Sequence, residues 1–322
     1  MSTRSKDIAR ILRTEDDFLV TAHVNPDGDA IGAMAAVGFA LKRLGKRFTL
    51  YNESGLPRDL EWLSLPANIG TRIPDCPACW TITLDCGDLH RGGEALMAWV
   101  DRSKLINIDH HLGNPDFGSV NWVDTSMSST TEMAARIASD LGFPLDGALG
   151  EAVYLGLVTD TGNFTYDNTT ARVLELAASI VRLGLKPGEF NAKLHNQQSL
   201  ARILLWSRIL SRTQLLDNGK VALVTITRRD LEETGTSIQD TDGIINAVRR
   251  IKGVTVAASL REDGPEMIKF SLRSSGPVNV QQVAASFGGG GHRNAAGGSI
   301  AAPMPQAERE LVSALEALVE TL

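Results

Sequence analysis

Seven side chains in this chain are of the types that bind divalent cations, and they fall at the ends of elements. They are His23, Asp27 and Asp29; Asp85; His110 and His111; and Asp160. Read singly, each has an ordinary explanation: Asp29 caps a helix, His110 is a satisfied half-buried histidine, Asp160 is a helix-end turn residue. Read together they need another one. Several carboxylates crowded on one rim of a fold repel strongly unless a cation sits among them. Imidazoles and carboxylates without a thiolate suit a borderline-hard divalent ion, and Mn²⁺ is the best match. The set is large enough for two ions, typically about 3.5–4 Å apart, with one carboxylate shared. Such a pair activates a bound water near neutral pH and polarises a phosphoryl oxygen. The reaction class this predicts is phosphoester or phosphoanhydride hydrolysis.

Positioning these groups is a matter of where the apolar runs stop. Phe18–Ala22 reads as a short buried strand and residues 30–44 as an alanine-rich helix, with His23-Val24-Asn25-Pro26-Asp27-Gly28-Asp29 as the turn between them. Pro26 and Gly28 favour a tight turn that aims Asp27 and Asp29 in different directions. Residues 47–51 read as a second strand. The strand at residues 80–84 runs into Asp85-Cys86-Gly87-Asp88, and that at 105–108 runs into Asp109-His110-His111. Ser129 with Glu132 predicts a capping box for a helix over 130–141. A helix over 149–158 runs into Thr159-Asp160. Strands alternating with helices at this spacing imply βαβ units and a mostly parallel sheet, whose carboxyl ends share one rim.

Residues 170–212 read as nearly continuous helix, broken near Lys186-Pro187-Gly188. Strands at 221–226, 254–260 and 267–272, with helices at 242–251, 280–286 and 306–322, predict a smaller α/β domain. The expected organisation is therefore a metal-binding domain over 1–185, a helical linker over 186–213 and a substrate-binding domain over 214–322.

Composition narrows the function classes. The chain has 322 residues, 43% hydrophobic content and a formal net charge of −6. That balance argues against coating long nucleic acid through a broad basic field. Neither a signal peptide nor an apolar run of the roughly 20 residues needed to span a bilayer is visible, so a cytoplasmic protein without membrane partners is expected. Cys76, Cys79 and Cys86 form no disulfide framework, and Cys76-Pro77-Ala78-Cys79 lacks a second pair to complete a zinc site.

His23-x-Asn25-Pro26-Asp27-Gly28-Asp29, Asp85-x-Gly87, Asp109-His110-His111 and Thr159-Asp160 resemble, in order and rough spacing, the four motifs of the DHH phosphoesterases. The tail Phe287-Gly288-Gly289-Gly290-Gly291-His292-Arg293-Asn294-Ala295-Ala296-Gly297 resembles the signature of the DHH-associated C-terminal domain. Together the resemblances span nearly the whole chain. They imply two Mn²⁺ ions, with Mg²⁺ or Co²⁺ as substitutes. One would be held by His23, Asp27 and Asp85, the other by Asp29, Asp85, His110 and Asp160. They also imply that His111 faces the substrate phosphate and that Asp109 orients the neighbouring imidazoles. Cys86 stands where relatives often carry Thr or Ala, and Ala33 where Ser is frequent; neither is a ligand position.

In length and domain content the resemblance is to the branch that degrades very short RNA and dephosphorylates 3′-phosphoadenosine 5′-phosphate. It implies short oligonucleotides or mononucleotide bisphosphates as substrates, and a homodimer. Alternatives are a phosphodiesterase for cyclic di-AMP or its linear product, an inorganic pyrophosphatase, and a nucleotide sensor without catalysis. Backbone N–H groups of Gly289, Gly290 and Gly291 can form an anion-binding concavity, with His292 and Arg293 beside them. Arg273 suits bidentate phosphate binding. With metals on one domain and the nucleotide grip on the other, the space between would limit substrate length.

Overall fold

The computed structural model describes residues 3–74, 80–196 and 198–319. Cys76 and Cys79 lie outside them. The chain divides into two compact units, Met1–Gln197 and Gln198–Leu322. Phe190 of the segment expected as a linker belongs to the first unit's core, and Leu205 and Ile209 to a core of the second. No described helix is long and apolar enough to cross a membrane.

The first unit contains α1 (Thr3–Thr14), β1 (Phe18–Ala22), α2 (Gly28–Arg43), β2 (Phe48–Tyr51), β3 (Ile69–Gly70), β4 (Trp80–Leu84), α3 (Glu94–Trp99) and β5 (Leu105–Asp109). It continues with β6 (Val120–Val123), α4 (Thr130–Asp140), α5 (Gly147–Asp160), α6 (Ala171–Arg182) and α7 (Pro187–His195). Its sheet runs β3-β2-β1-β4-β5-β6 with every pairing parallel. Parallel strands covered on both faces read as continuous apolar runs, and every residue of β1 and β5 is buried. Strand order reverses between β1 and β4. Ligands of open α/β sheets bind at such a switch point, beyond the carboxyl ends of the strands.

Helices α2 and α5 are apolar nearly all round and correspondingly buried. They approach so closely that a Cβ on Gly32 would meet the Ala152 carbonyl at 2.5 Å. One on Gly28 would meet Thr159 Cγ2, also at 2.5 Å. Only hydrogen fits there, and the crossing brings the start of α2 to the end of α5.

The second unit contains α8 (Leu200–Leu210), β7 (Gln214–Leu216), β8 (Val221–Ile226), α9 (Arg228–Thr234), α10 (Ile244–Arg249), β9 (Val256–Gly264) and β10 (Met267–Ser274). It ends with α11 (Val280–Ser286), β11 (Gly290–His292), β12 (Ala295–Ile300) and α12 (Met304–Val319). Its mixed sheet runs β11-β12-β10-β9-β8-β7, with only β8 and β9 parallel. Separate apolar clusters cover its two faces. The expected α/β class holds in both units: a parallel sheet with flanking helices, then a smaller α/β unit.

The break expected near Lys186-Pro187-Gly188 in the helical stretch 170–212 is present, and with a second break before α8 the stretch is three helices. Gly184 at φ +108° follows the end of α6, Pro187 starts α7, and the Ser199 side chain caps α8. The capping box at Ser129 is half formed: Ser129 Oγ accepts the Glu132 N–H at 3.1 Å, but Glu132 turns to Ser128 and Arg172. Asp29 does not cap α2. Asp27 does, its Oδ1 accepting the N–H groups of Asp29 at 3.0 Å and Ala30 at 3.1 Å.

Candidate metal centre

Each candidate ligand side chain is delivered by an element of the parallel sheet or a helix packed on it. His23 follows β1, Asp27 caps α2 and Asp29 lies in its first turn. Asp85 directly follows β4 in a left-handed conformation, φ +58°, a strained geometry for a residue with a Cβ. Asp109 ends β5, His110 and His111 come next, and Asp160 ends α5.

The side chains converge. The donor atoms of His23, Asp27 and Asp85 lie within 4.8 Å of one another. So do those of Asp29, His110 and Asp160, and those of Asp85, His110 and His111. Asp85 joins the groups: its Oδ2 lies 3.5 Å from His23 Nε2 and its Oδ1 3.4 Å from His110 Nε2. His110 Nε2 is also 3.2 Å from Asp160 Oδ2 and 3.9 Å from Asp29 Oδ2. His23 Nδ1 donates to the Val24 carbonyl at 2.9 Å, which turns the Nε2 lone pair toward the carboxylates.

The crowded carboxylates and imidazoles shift one another's protonation. Burial, with the charges of Asp85 and Asp160, pushes the Asp29 carboxyl well above its ordinary range. Burial beside Asp85 and Asp27 pushes Asp160 up to about 7. Burial opposes charge on His110, yet Asp85, Asp29 and Asp160 overcome it and raise the imidazole to about 10. Asp85 is pulled below the carboxylate range: hydrogen bonds from His110 and His23 outweigh its burial. Protons do here what a divalent ion would do. The donor set of oxygen and imidazole nitrogen, with no thiolate, fits Mn²⁺ or Mg²⁺. Cys86 next to Asp85 is free and buried, and burial raises its thiol pKa.

His111 is held differently. Its Nδ1 donates to Asp109 Oδ1 at 2.8 Å, and its side chain is 37% exposed, the most open of the three imidazoles. Asn114 Nδ2 fixes the other Asp109 oxygen at 2.7 Å. Burial opposes ionisation of Asp109, but hydrogen bonds from His111 and Asn114 carry its pKa below the ordinary value.

Sequence reasoning missed the residues that brace the carboxylates. The N–H groups of Thr130 and Thr131 donate to Asp29 Oδ2 and Oδ1 at 2.6 and 2.9 Å. The Thr130 hydroxyl donates to Asp85 Oδ1 at 3.0 Å. The available signal was the predicted helix start at Ser129, since the first N–H groups of any helix need acceptors. A cavity of about 590 Å³ in this unit, beside Trp122, Arg136 and Leu176, contains none of the cluster side chains.

In the second unit Arg273 lines a cavity of about 460 Å³ with Asn246, Ser259, Arg261, Lys269 and Ser271. Burial and the Arg249 charge lower its pKa. The glycine segment is outside that cavity. Gly288 and Gly289 spend their N–H groups on the end of α11, donating to Ala285 and Ala284, and Gly290 and Gly291 form the edge strand β11. Gly289 is glycine for space, as its Cβ would meet the Gly297 carbonyl at 2.3 Å. The concavity expected from consecutive N–H groups is thus confined to residues from Gly290 on. Arg273, Ala295 and His292 share one register row across β10, β12 and β11. Arg293 Nη2 donates to the Pro277 carbonyl at 2.7 Å.

Comparison with known proteins supplies the context for this geometry. Residues 17–157 match the DHH family, N-terminal domain, and residues 218–321 match the DHHA1 domain. The bifunctional oligoribonuclease and PAP phosphatase NrnA of Thermus thermophilus is 33% identical over 295 residues, covering 91% of this chain and 87% of the relative. The Bacillus subtilis protein of the same name is 27% identical, covering 91% and 92%. The structure of an exopolyphosphatase-related protein from Bacteroides fragilis superposes with a TM-score of 0.87 at 29% identity, covering 98% of this chain and 96% of that one. Both domain matches and the near full-length relatives lead to one assignment: the chain belongs to the DHH family.

Proposed function

We propose that this chain is a phosphoesterase that uses two divalent cations, Mn²⁺ by preference, to hydrolyse short oligoribonucleotides and to remove the 3′-phosphate of 3′-phosphoadenosine 5′-phosphate. The observation that carries the reading is Asp85, whose two oxygens face different imidazoles in two separate donor groups. His23, Asp27 and Asp85 would hold one ion; Asp29, Asp85, His110 and Asp160 the other. Cations bound there supply an activated water and polarise the phosphoryl oxygens.

The chain's own residues do the rest. His111 gives its Nδ1 proton to the hydrogen bond with Asp109, so Nε2 is the atom free to meet a phosphate or carry a proton to the leaving oxygen. Asp109 fixes the ring and its tautomer. Arg273 and the segment from Gly290 to Arg293 would bind nucleotide on the second unit. The names of the NrnA relatives support the substrate classes. The reading extends to a homodimer and, in keeping with the free Cys86, a cytoplasmic setting.

The test is hydrolysis by purified protein with Mn²⁺, Mg²⁺, Co²⁺ or a chelator. Substrates are a 2-mer and a 24-mer RNA, 3′-phosphoadenosine 5′-phosphate, cyclic di-AMP and pyrophosphate, compared side by side. Faster turnover of the 2-mer and the bisphosphate is expected. Equal rates on both RNA lengths, or a preference for pyrophosphate, would overturn the substrate assignment, and turnover in chelator would overturn the metal assignment.

A further inference from the structure

Thr130, at the first position of α4, is fully buried and touches both halves of the carboxylate cluster. Its backbone N–H donates to Asp29 Oδ2 at 2.6 Å and its hydroxyl donates to Asp85 Oδ1 at 3.0 Å. The next amide, of Thr131, takes the other Asp29 oxygen at 2.9 Å. Both oxygens of Asp29 are therefore fixed by a helix start, where N–H groups lack partners within the helix. Thr130 braces the Asp85 oxygen that lies 3.4 Å from His110, while the other oxygen faces His23 at 3.5 Å.

We propose that Thr130 is a positioning residue for the cation centre: its hydroxyl sets the rotation of the Asp85 carboxylate while its amide fixes Asp29, holding the two donor groups in register. The inference rests on the two-cation reading above and adds to it the part of the chain that orients the shared carboxylate. The alternative is that Thr130 only starts a helix. For that role the hydroxyl is dispensable, because Ser129 is the residue whose side chain caps α4.

The two roles separate on metal affinity. Thr130→Val keeps the shape and the amide but removes the hydroxyl, while Thr130→Ser keeps the hydroxyl and removes a methyl. Mn²⁺ binding to the chelator-stripped full chain is measured by titration calorimetry, alongside the melting temperature in chelator. Partners that orient ligands typically account for about 10–100-fold in metal affinity. Thr130→Val should weaken at least one Mn²⁺ by that factor, and Thr130→Ser should stay within about 3-fold of wild type. If the valine variant does not fold without metal, Thr130→Ala, which also removes the hydroxyl and keeps the amide, is titrated in its place, with the same weakening expected. Wild-type affinity in Thr130→Val, or equal weakening in both variants, overturns the inference alone. A wild-type chain that binds no Mn²⁺ overturns the cation reading and this inference with it.

Discussion

His111 Nδ1 lies 2.8 Å from Asp109 Oδ1, and that carboxylate is wholly buried while the imidazole is more than a third exposed. A buried acceptor behind an open imidazole fixes which nitrogen faces outward. Asp109→Asn keeps the shape and loses the charge, so the ring is free to present the wrong tautomer. The expected result is a loss of kcat of about 10²-fold or more with Mn²⁺ content unchanged, since positioned acid–base groups contribute on that scale. Turnover with excess Mn²⁺, alongside metal analysis, checks it. Unchanged kcat would mean that His111 transfers no proton.

Asp85→Ala removes an oxygen from both donor groups at once. Hydrolysis should fall below detection while the circular dichroism spectrum of the metal-free chain is retained, because Asp85 lies beyond the end of β4 and outside the apolar core. Near-normal Mn²⁺-dependent turnover would rule out the shared-ligand arrangement.

Cation binding should be proton-coupled. In the metal-free chain Asp160 is raised to about 7, His110 to about 10, and Asp29 well above its ordinary value. An incoming ion must displace those protons. Mn²⁺ affinity should therefore weaken as pH falls from about 8 to about 6, and calorimetry in buffers of different ionisation enthalpy should detect proton release. No pH dependence over that range would contradict the assignment of these groups as ligands.

Stability of the metal-free chain should follow the same groups. Each holds its proton more tightly folded than unfolded, so stability declines as pH rises. For Asp160 the window runs from the carboxylate value of 3.8 through about 7, and for His110 from 6.5 through about 10. In chelator the melting temperature should be higher near pH 5.5 than near pH 8.5, and Mn²⁺ should abolish the difference. A melting temperature that rises across that interval would show that other groups dominate.

Gly156 tests the packing behind Asp29. A Cβ there would lie 2.2 Å from Thr131 Oγ1 and 2.3 Å from Asp29 Oδ1. Gly156→Ala should cost about 1–3 kcal/mol from overpacking and weaken Mn²⁺ binding, although alanine favours helices elsewhere. Denaturant unfolding and a metal titration of the same sample check both effects.

Much of this was legible in the sequence. The apolar runs at Phe18–Ala22 and Trp80–Leu84 ended where their polar neighbours began, because a strand buried on both faces is built mainly of apolar residues, whereas the run from Leu105 carries Asp109 as the last, buried residue of β5. What escaped was anything settled at long range. Thr130 is 101 residues from Asp29, so no local pattern pairs them. The cap of α2 passed to Asp27 because the turn left Asp29 pointing at α4. Short strands such as β3 and β6 have too little periodicity to stand out. The glycines after α11 were read for their freedom, whereas Gly289 is constrained by the neighbouring backbone.

The crossing of α2 and α5 has a consequence for how the molecule is made. Asp29 and Asp160 meet only after the chain between them, including β4, β5 and α4, has been laid down and packed. A growing chain therefore lacks the full donor set until α5 docks. On the proposed reading, cation capture is a late event of folding, one that locks a finished unit and offers no nucleus to an unfinished one.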